Sequence, residues 1–333
     1  MRYLVCSDLH LNLNRRLEDT VEALGQIARL VTEQLADKVF ILGDVYTSRR
    51  PHPREKIEFE TWVKQVADTI AARTGNTQDA VVIIKGNHDE YPDGTHTLHE
   101  FTILRYPGIQ VFDNPHLHDG FFLGHMLLRE AELGPAAYHQ PDALSLDDVI
   151  ARYPGCNAYL FGDVHKHQVL RREPLALYIG SIVPTDFGER HDPKGVVLIE
   201  HGQGEELSWQ FVPLRTRPLI QYDVDLDEPK PHLRSADVKG AVVKLIYYGT
   251  HEQIAGQALK ETTVRAGLQP HCHELVIQYH LKRAVTARER RVNETSTPVE
   301  ALRLYLDRIE VFGDSDRQRI LVMGEEIIQQ CRG

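Results

Sequence analysis

Residues 80–89 read Ala80-Val81-Val82-Ile83-Ile84-Lys85-Gly86-Asn87-His88-Asp89. Five apolar, mostly β-branched residues in a row predict a short strand. One lysine later the chain reaches glycine and three side chains able to bind a metal or move a proton. Four other segments repeat this order of events. They are Ser7-Asp8-Leu9-His10 after residues 2–6, Gly43-Asp44 after 39–42, Gly124-His125 after 120–123, and Gly162-Asp163-Val164-His165 after 158–161. In open α/β sheets the carboxyl ends of the strands line the ligand crevice. Polar residues delivered there from five distant stretches predict one shared site.

The spacing is specific. In Asp8-x-His10 and Asp163-x-His165, residues two apart on an extended chain point the same way, so each pair reaches a common centre. Carboxylate, imidazole and amide oxygen without thiolate suit manganese, iron or zinc rather than calcium or a soft-metal site. The candidate ligands are Asp8, His10, Asp44, Asn87, His125, Asp163 and His165. Seven are too many for one ion and suit two. His116-x-His118 and His271-Cys272-His273 look metal-like, but neither has the second half of a zinc site. His167, Asp186 and His191 read as support for the site or as loop structure.

Around these segments strand alternates with helix. Residues 2–6 and 39–42 read as strands, and 17–36 as a helix with apolar positions at Val21, Leu24, Ile27, Leu30 and Val31; 56–72 reads as a second helix. Such alternation implies βαβ units. Later runs at 158–161, 175–179, 195–200 and 207–211 are shorter and closer together, which predicts a mixed or antiparallel second half of a layered sheet domain. Prolines from Pro213 to Pro218 mark a boundary. Beyond it, a strand at 241–248, a helix at 252–266 and a strand at 273–280 make a small unit. A basic run follows at 282–291, and apolar stripes at Val299, Leu302, Leu306 and Ile309, then at Ile320, Met323 and Ile327, predict a closing helical hairpin. The expected division is 1–215, 216–283 and 284–333.

Composition narrows the classes. In 333 residues, 42% hydrophobic and 26% charged exclude wholesale disorder. No apolar run approaches the roughly 20 residues that cross a bilayer, and the first residues turn polar too soon for a secretory leader. Four cysteines lie far apart with no CxxC pair, which predicts a reduced, cytosolic setting. The net charge is −10, whereas simple phosphate-backbone binders are basic. Bound cations or a local basic patch would have to reverse the field.

The ordered set Asp8-x-His10, Gly43-Asp44, Gly86-Asn87-His88-Asp89, His125 and Gly162-Asp163-x-His165 resembles the calcineurin-like binuclear metallophosphoesterases. Within them the chain is similar to the SbcD-type nuclease subunits of double-strand-break repair, especially phage versions. Residues 43–51, Tyr178-Ile179-Gly180-Ser181, Asp186-Phe187-Gly188-Glu189 and Lys194-Gly195 carry that finer likeness. The resemblance implies an α/β layered sandwich of mixed sheets flanked by helices, followed by a small α/β capping, DNA-binding domain and a helical tail. It implies two divalent ions, most simply Mn2+: Asp8, His10, Asp44 and His165 would hold one, and Asp44, Asn87, His125 and Asp163 the other. His88 would face the phosphate and protonate or stabilise the leaving oxygen. Two departures stand out. The family places histidine where this chain has Asp163, which can still ligate but adds negative charge and alters metal preference. Thr47 stands where archaeal and eukaryotic relatives have a histidine.

The activity implied is 3′-to-5′ exonuclease and single-strand or hairpin endonuclease action in recombination and end processing. Two cations about 3.5–4 Å apart suit such an in-line displacement. The partners implied are DNA, a coiled-coil SbcC-type ATPase gripped by the C-terminal helices, and a second copy of the chain, in the cytoplasm of a bacterial or phage-infected cell. Arg15, Arg16, Arg49, Arg50 and Arg54, just downstream of the first two ligand segments, are placed to flank a DNA backbone. A small-molecule phosphodiesterase or phosphatase would use the same metals, and a non-catalytic scaffold could keep the same frame. The appended domain, basic run and hairpin favour the nuclease over the first; the intact Asp8, His10, Asp44, Asn87 and His88 set weighs against the second.

Overall fold

The computed structural model describes residues 1–133, 143–202, 207–228, 234–282 and 319–324. The basic run from Arg283 onward and nearly all of the two C-terminal apolar stripes lie outside them; 319–324 are helical. The chain divides into two compact units. One comprises Met1–Asp223, Pro231–Ile246 and Glu261–Gln278, the other Val224–Lys230, Tyr247–Lys260 and Tyr279–Gly333.

Two sheets build the larger unit. The first orders β11 (Ser208–Pro213), β10 (Gly195–Glu200), β1 (Arg2–Cys6), β2 (Lys38–Leu42), β3 (Val81–Ile84) and β4 (Ile109–Phe112). Strands β1 to β4 run parallel, and β10 and β11 add an antiparallel edge. The second orders β5 (His116–His118), β6 (Phe121–His125), β7 (Ala158–Gly162), β9 (Leu175–Tyr178) and β8 (Gln168–Arg172), with β6, β7 and β9 parallel.

Period-two alternation sorts the side chains into layers. Tyr3, Val5, Phe40, Leu42, Val82 and Ile84 face the second sheet and pack with Phe121, Leu123, Leu160 and Leu177. Leu4, Cys6, Val39, Ile41, Val81 and Ile83 face helices α1 (Leu17–Glu33) and α2 (Pro53–Thr74), meeting Leu24, Ile27, Phe59, Val63 and Ile70. The outer face of the second sheet, Phe122, Tyr159, Phe161 and Tyr178, packs on Leu146 and Val149 of α4 (Leu146–Arg152). Burial on both faces is why these strands read as unbroken apolar runs.

Helix α2 begins earlier than its periodicity suggests. Pro53 occupies the first turn, His52 accepts from Arg54 N at 3.2 Å, and the Glu55 carboxylate accepts from His52 N at 2.8 Å. The buried Glu55 also accepts from Leu13 N at 2.6 Å, tying the helix start to the loop after β1. Short α3 (His99–Leu104) precedes β4. The helix expected at 252–266 is two helices, α5 (His251–Ala258) and α6 (Glu261–Leu268). Leu259, 87% exposed, belongs to no buried stripe, so nothing holds one helix continuous across it. Strands β12 (Leu219–Asp225), β13 (Val242–Gly249) and β14 (Glu274–Leu281) form a third sheet in that order. Among the described residues no helix is long and apolar enough to cross a membrane.

The two sheets meet closely at Gly162, where a Cβ would overlap the Leu42 carbonyl oxygen and Ser7 Oγ. Gly162→Ala is therefore expected to cost about 1–3 kcal/mol by overpacking. Chemical denaturation checks it, and an unchanged midpoint would contradict the closeness of that contact.

Candidate metal centre

Every sequence-predicted ligand lies at the carboxyl end of a strand. Asp8 and His10 follow β1, Asp44 follows β2, Asn87 and His88 follow β3, His125 ends β6, and Asp163 and His165 follow β7. Both sheets thus contribute. Asp8, His10, Asp44 and Asp163 all adopt positive φ, of 50°, 48°, 51° and 86°. Left-handed backbone at four non-glycine residues is costly and concentrates where function over-determines it. Cross-loop hydrogen bonds hold the turns: Asp8 N donates to Gly43 O at 3.2 Å, His10 N to Asp44 O at 3.0 Å, and Asp163 N to Asp8 Oδ1 at 3.2 Å. Gly86 lies so close to Asp44 that a Cβ there would overlap its carboxylate.

The structure gathers the seven side chains around one hollow. His10 Nε2 is 2.9 Å from His165 Nε2, 3.7 Å from Asp44 Oδ2 and 3.9 Å from Asp8 Oδ1; His165 Nε2 is 3.8 Å from Asp8 Oδ1. His125 Nε2 lies 3.2 Å from Asn87 Oδ1, 3.4 Å from Asp44 Oδ1 and 3.7 Å from Asp163 Oδ1. The two oxygens of Asp44 therefore look toward different histidines. Asp8, His10 and His165, and separately Asp8, Asp44 and His125, bring their donor atoms close enough to share an ion.

The donor set suits cations on its own terms. His125 Nδ1 donates to Leu42 O at 2.7 Å and His165 Nδ1 to Glu189 Oε1 at 2.7 Å, so each ring directs Nε2 inward, to carry a proton or, once deprotonated there, to offer its lone pair to a cation. The facing Nε2 atoms of His10 and His165 need a proton or a cation between them. Burial opposes protonation of His125, yet the Asp44 hydrogen bond and the Asp8 and Asp44 charges outweigh it and lift the ring to about 10. Burial, then the charge of His165, drives His10 down to about 3. Burial likewise raises fully buried Asp8. Carboxylates this desolvated want a positive partner, and the positive charge that satisfies them can be a proton or a metal ion.

His88 stands apart from the ligand atoms. Its Nδ1 donates to Thr47 O at 2.7 Å, its amide donates to Asp44 Oδ1 at 3.0 Å, and its Nε2 is 4.0 Å from Asp44 Oδ2. The ring is thus aimed at the hollow by backbone contacts while its side chain stays 43% exposed. A cavity of about 300 Å3 opens here, lined by His88, Asp163 and His165 and walled by Arg15, Arg16 and Thr185.

The arginines part company. Arg15 is exposed on the cavity wall. Arg16 instead donates to Pro184 O at 3.1 Å and pairs with Asp19 at 3.5 Å. Arg49 donates to Asn87 O at 3.1 Å, Arg50 is exposed, and Arg54 sits 3.9 Å from Glu58 on the surface of α2. Asp79, His118 and Asp119 form a third group of metal-capable atoms, but the Lys38 ammonium already lies 2.6 and 2.8 Å from the two carboxylates.

Residues 1–167 match the model of the calcineurin-like phosphoesterase family. The chain belongs to that family. Its members use divalent metals, and this phosphoesterase is a metal-dependent hydrolase of phosphate esters. Among curated proteins it is similar to the SbcD subunit of the nuclease SbcCD from Bacillus subtilis (strain 168), 23% identical over 289 residues that cover 67% of this chain and 72% of the relative. Two solved structures are also similar. The phosphoesterase Yfce from E. coli is 17% identical, covering 60% of this chain and 88% of its own, with a TM-score of 0.32. Nuclease MPE from Pseudomonas putida is 21% identical, covering 59% and 83%, with a TM-score of 0.30.

One supporting group of this phosphoesterase lies in a segment that carries the family likeness, yet its role is not legible there. Glu189, in the 3-10 turn Phe187–Glu189, accepts from His165 Nδ1, from Thr185 Oγ1 at 2.5 Å and from Thr185 N at 3.0 Å. Buried Lys194 pairs with its other side at 2.7 Å and donates to His165 O at 3.0 Å and Ser181 Oγ at 2.9 Å. Burial would raise the Glu189 carboxyl, but the His165 bond and the Lys194 charge hold it well below the usual range. His167 and Asp186, read as support for the site or as loop structure, make local contacts. His167 stacks on Phe211 at 4.3 Å, and Asp186 caps the turn through Gly188 N. Glu189→Gln is expected to weaken metal binding about 10–100-fold, the usual cost of losing a carboxylate behind a metal-facing histidine. Isothermal titration with manganese measures it, and unchanged affinity would contradict the role.

Proposed function

We propose that this phosphoesterase is a manganese-dependent DNA nuclease, with 3′-to-5′ exonuclease and single-strand or hairpin endonuclease activity, acting with an SbcC-type ATPase in the cytoplasm. The observation that carries the reading is the convergence of seven donor side chains, from both sheets, on one hollow. The name of the Bacillus relative, a component of a nuclease, supports the choice of nucleic acid over small esters.

In this reading Asp8, His10, Asp44 and His165 would hold one ion; Asp44, Asn87, His125 and Asp163 would hold the other. Two divalent cations held there would supply a water of lowered pKa and positive charge for the phosphodiester oxygens that gain charge. His88, fixed by Thr47 O and directed into the cavity, donates a proton from Nε2 to the leaving oxygen. Arg15, exposed on the cavity wall, and Arg49 and Arg50 attract the DNA backbone. Arg16 contributes indirectly, by holding Pro184, another residue that lines the cavity. Bound cations also offset the chain's net charge of −10 toward a polyanion.

Residues 216–283 are proposed as a capping, DNA-binding domain and 284–333 as the tail that grips the ATPase, with two copies pairing through phosphoesterase-domain helices. The test compares end-labelled duplex, hairpin and plasmid DNA with a nitrophenyl phosphodiester, each with manganese. Preferential DNA cleavage is expected. Ester hydrolysis without DNA cleavage would reassign the chain to small molecules, and no hydrolysis of either, alone or with the ATPase, would make it a scaffold.

A further inference from the structure

The two halves of the hollow are chemically unequal. Around His10 and His165 the donors are two imidazoles with the Asp8 and Asp44 carboxylates. Around His125 they are one imidazole with three oxygens, from Asn87, Asp44 and Asp163. Imidazole favours zinc and iron, whereas carboxylate and carbonyl oxygen favour magnesium and manganese. Exposure differs as well. Apart from the shared Asp44, the side chains of Asp8 and His10 are 0 and 7% exposed; on the other side His125 is 1% exposed, but Asn87 is exposed and Asp163, at 28%, opens on the cavity. His165, at 26%, is the exception on the first side.

We infer that the centre is asymmetric by design of its ligands: an inner, imidazole-rich position with strong preference for borderline metals, and an outer, oxygen-rich position that takes a hard, exchangeable cation. Asp163 is the residue that sets the difference. This rests on the two-ion reading of the hollow. It makes the outer cation responsive to the free manganese or magnesium of the surroundings, while the inner one stays resident.

Displacement of manganese by zinc tests it, read as free manganese by electron paramagnetic resonance. In the wild type, two release phases are expected, with the second needing roughly tenfold or more free zinc. Asp163→His adds the missing imidazole, and the second phase is expected to move onto the first. Should that variant fail to fold, Asp163→Asn keeps an oxygen donor and a residue at ease with positive φ. It is expected to weaken only the outer manganese. A single phase in the wild type, a second phase unmoved in D163H, or equal weakening of both phases in D163N would overturn the inference. A wild type that binds no manganese would overturn the two-ion reading beneath it.

Discussion

Asp44→Asn is expected to strip metal from both positions and lower hydrolysis by roughly 10³-fold or more, since a bridging carboxylate supports several kcal/mol of charge stabilisation and each decade is about 1.4 kcal/mol. Asp44 is buried, and its two oxygens lie 3.4 Å from His125 Nε2 and 3.7 Å from His10 Nε2. Asp8 also lies within reach of histidines of both halves, but it is Asp44 whose two oxygens are directed to different histidines. Asparagine is isosteric and still accepts from His88 N, which donates to Oδ1 at 3.0 Å. The change therefore removes charge and one anionic oxygen with little change of shape. Metal content after gel filtration, beside the hydrolysis rate at saturating manganese, measures it. Full occupancy with full activity would show that the carboxylate bridges nothing.

His88→Asn should separate chemistry from binding. Its Nε2 lies 4.0 Å from Asp44 Oδ2, its ring meets the His10 ring edge-on at 5.4 Å between centroids, and its side chain is 43% exposed. Both metals should be retained, and stability should change by no more than about 0.5 kcal/mol, as for other surface substitutions. Turnover is expected to fall about 10²–10⁴-fold, the range for a lost general acid. The loss should shrink on a nitrophenyl ester, whose leaving oxygen needs little protonation. Loss of metal together with activity would reassign His88 as a ligand. An equal loss on both substrates would make it a stabiliser of phosphate charge rather than a proton donor.

The contrast between these residues and Glu189 shows what a sequence carries. Asp8, Asp44, Asn87, His125, Asp163 and their neighbours are legible because each sits within a few residues of a buried strand end, so local pattern fixes its place. Strands β4, β5 and β8 escape the same reading. They are four, three and five residues long and largely half-buried, so they present no apolar run. Glu189 lies in a segment that carries the family likeness, but its role escapes for another reason. Its carboxylate matters only through His165, 24 residues earlier, and a turn of three residues gives no period that would aim it. Arg16 shows the limit on charge: its guanidinium is committed to Pro184 O, 168 residues away, a partner that folding alone supplies.

Direct metal counting on the wild-type chain tests the centre most simply. After chelation and reloading with manganese, two ions per chain should bind, and phosphodiester cleavage should vanish with their removal and return with their restoration. Cleavage that persists without divalent ions, or a chain that binds none while these side chains stay folded together, would contradict the account.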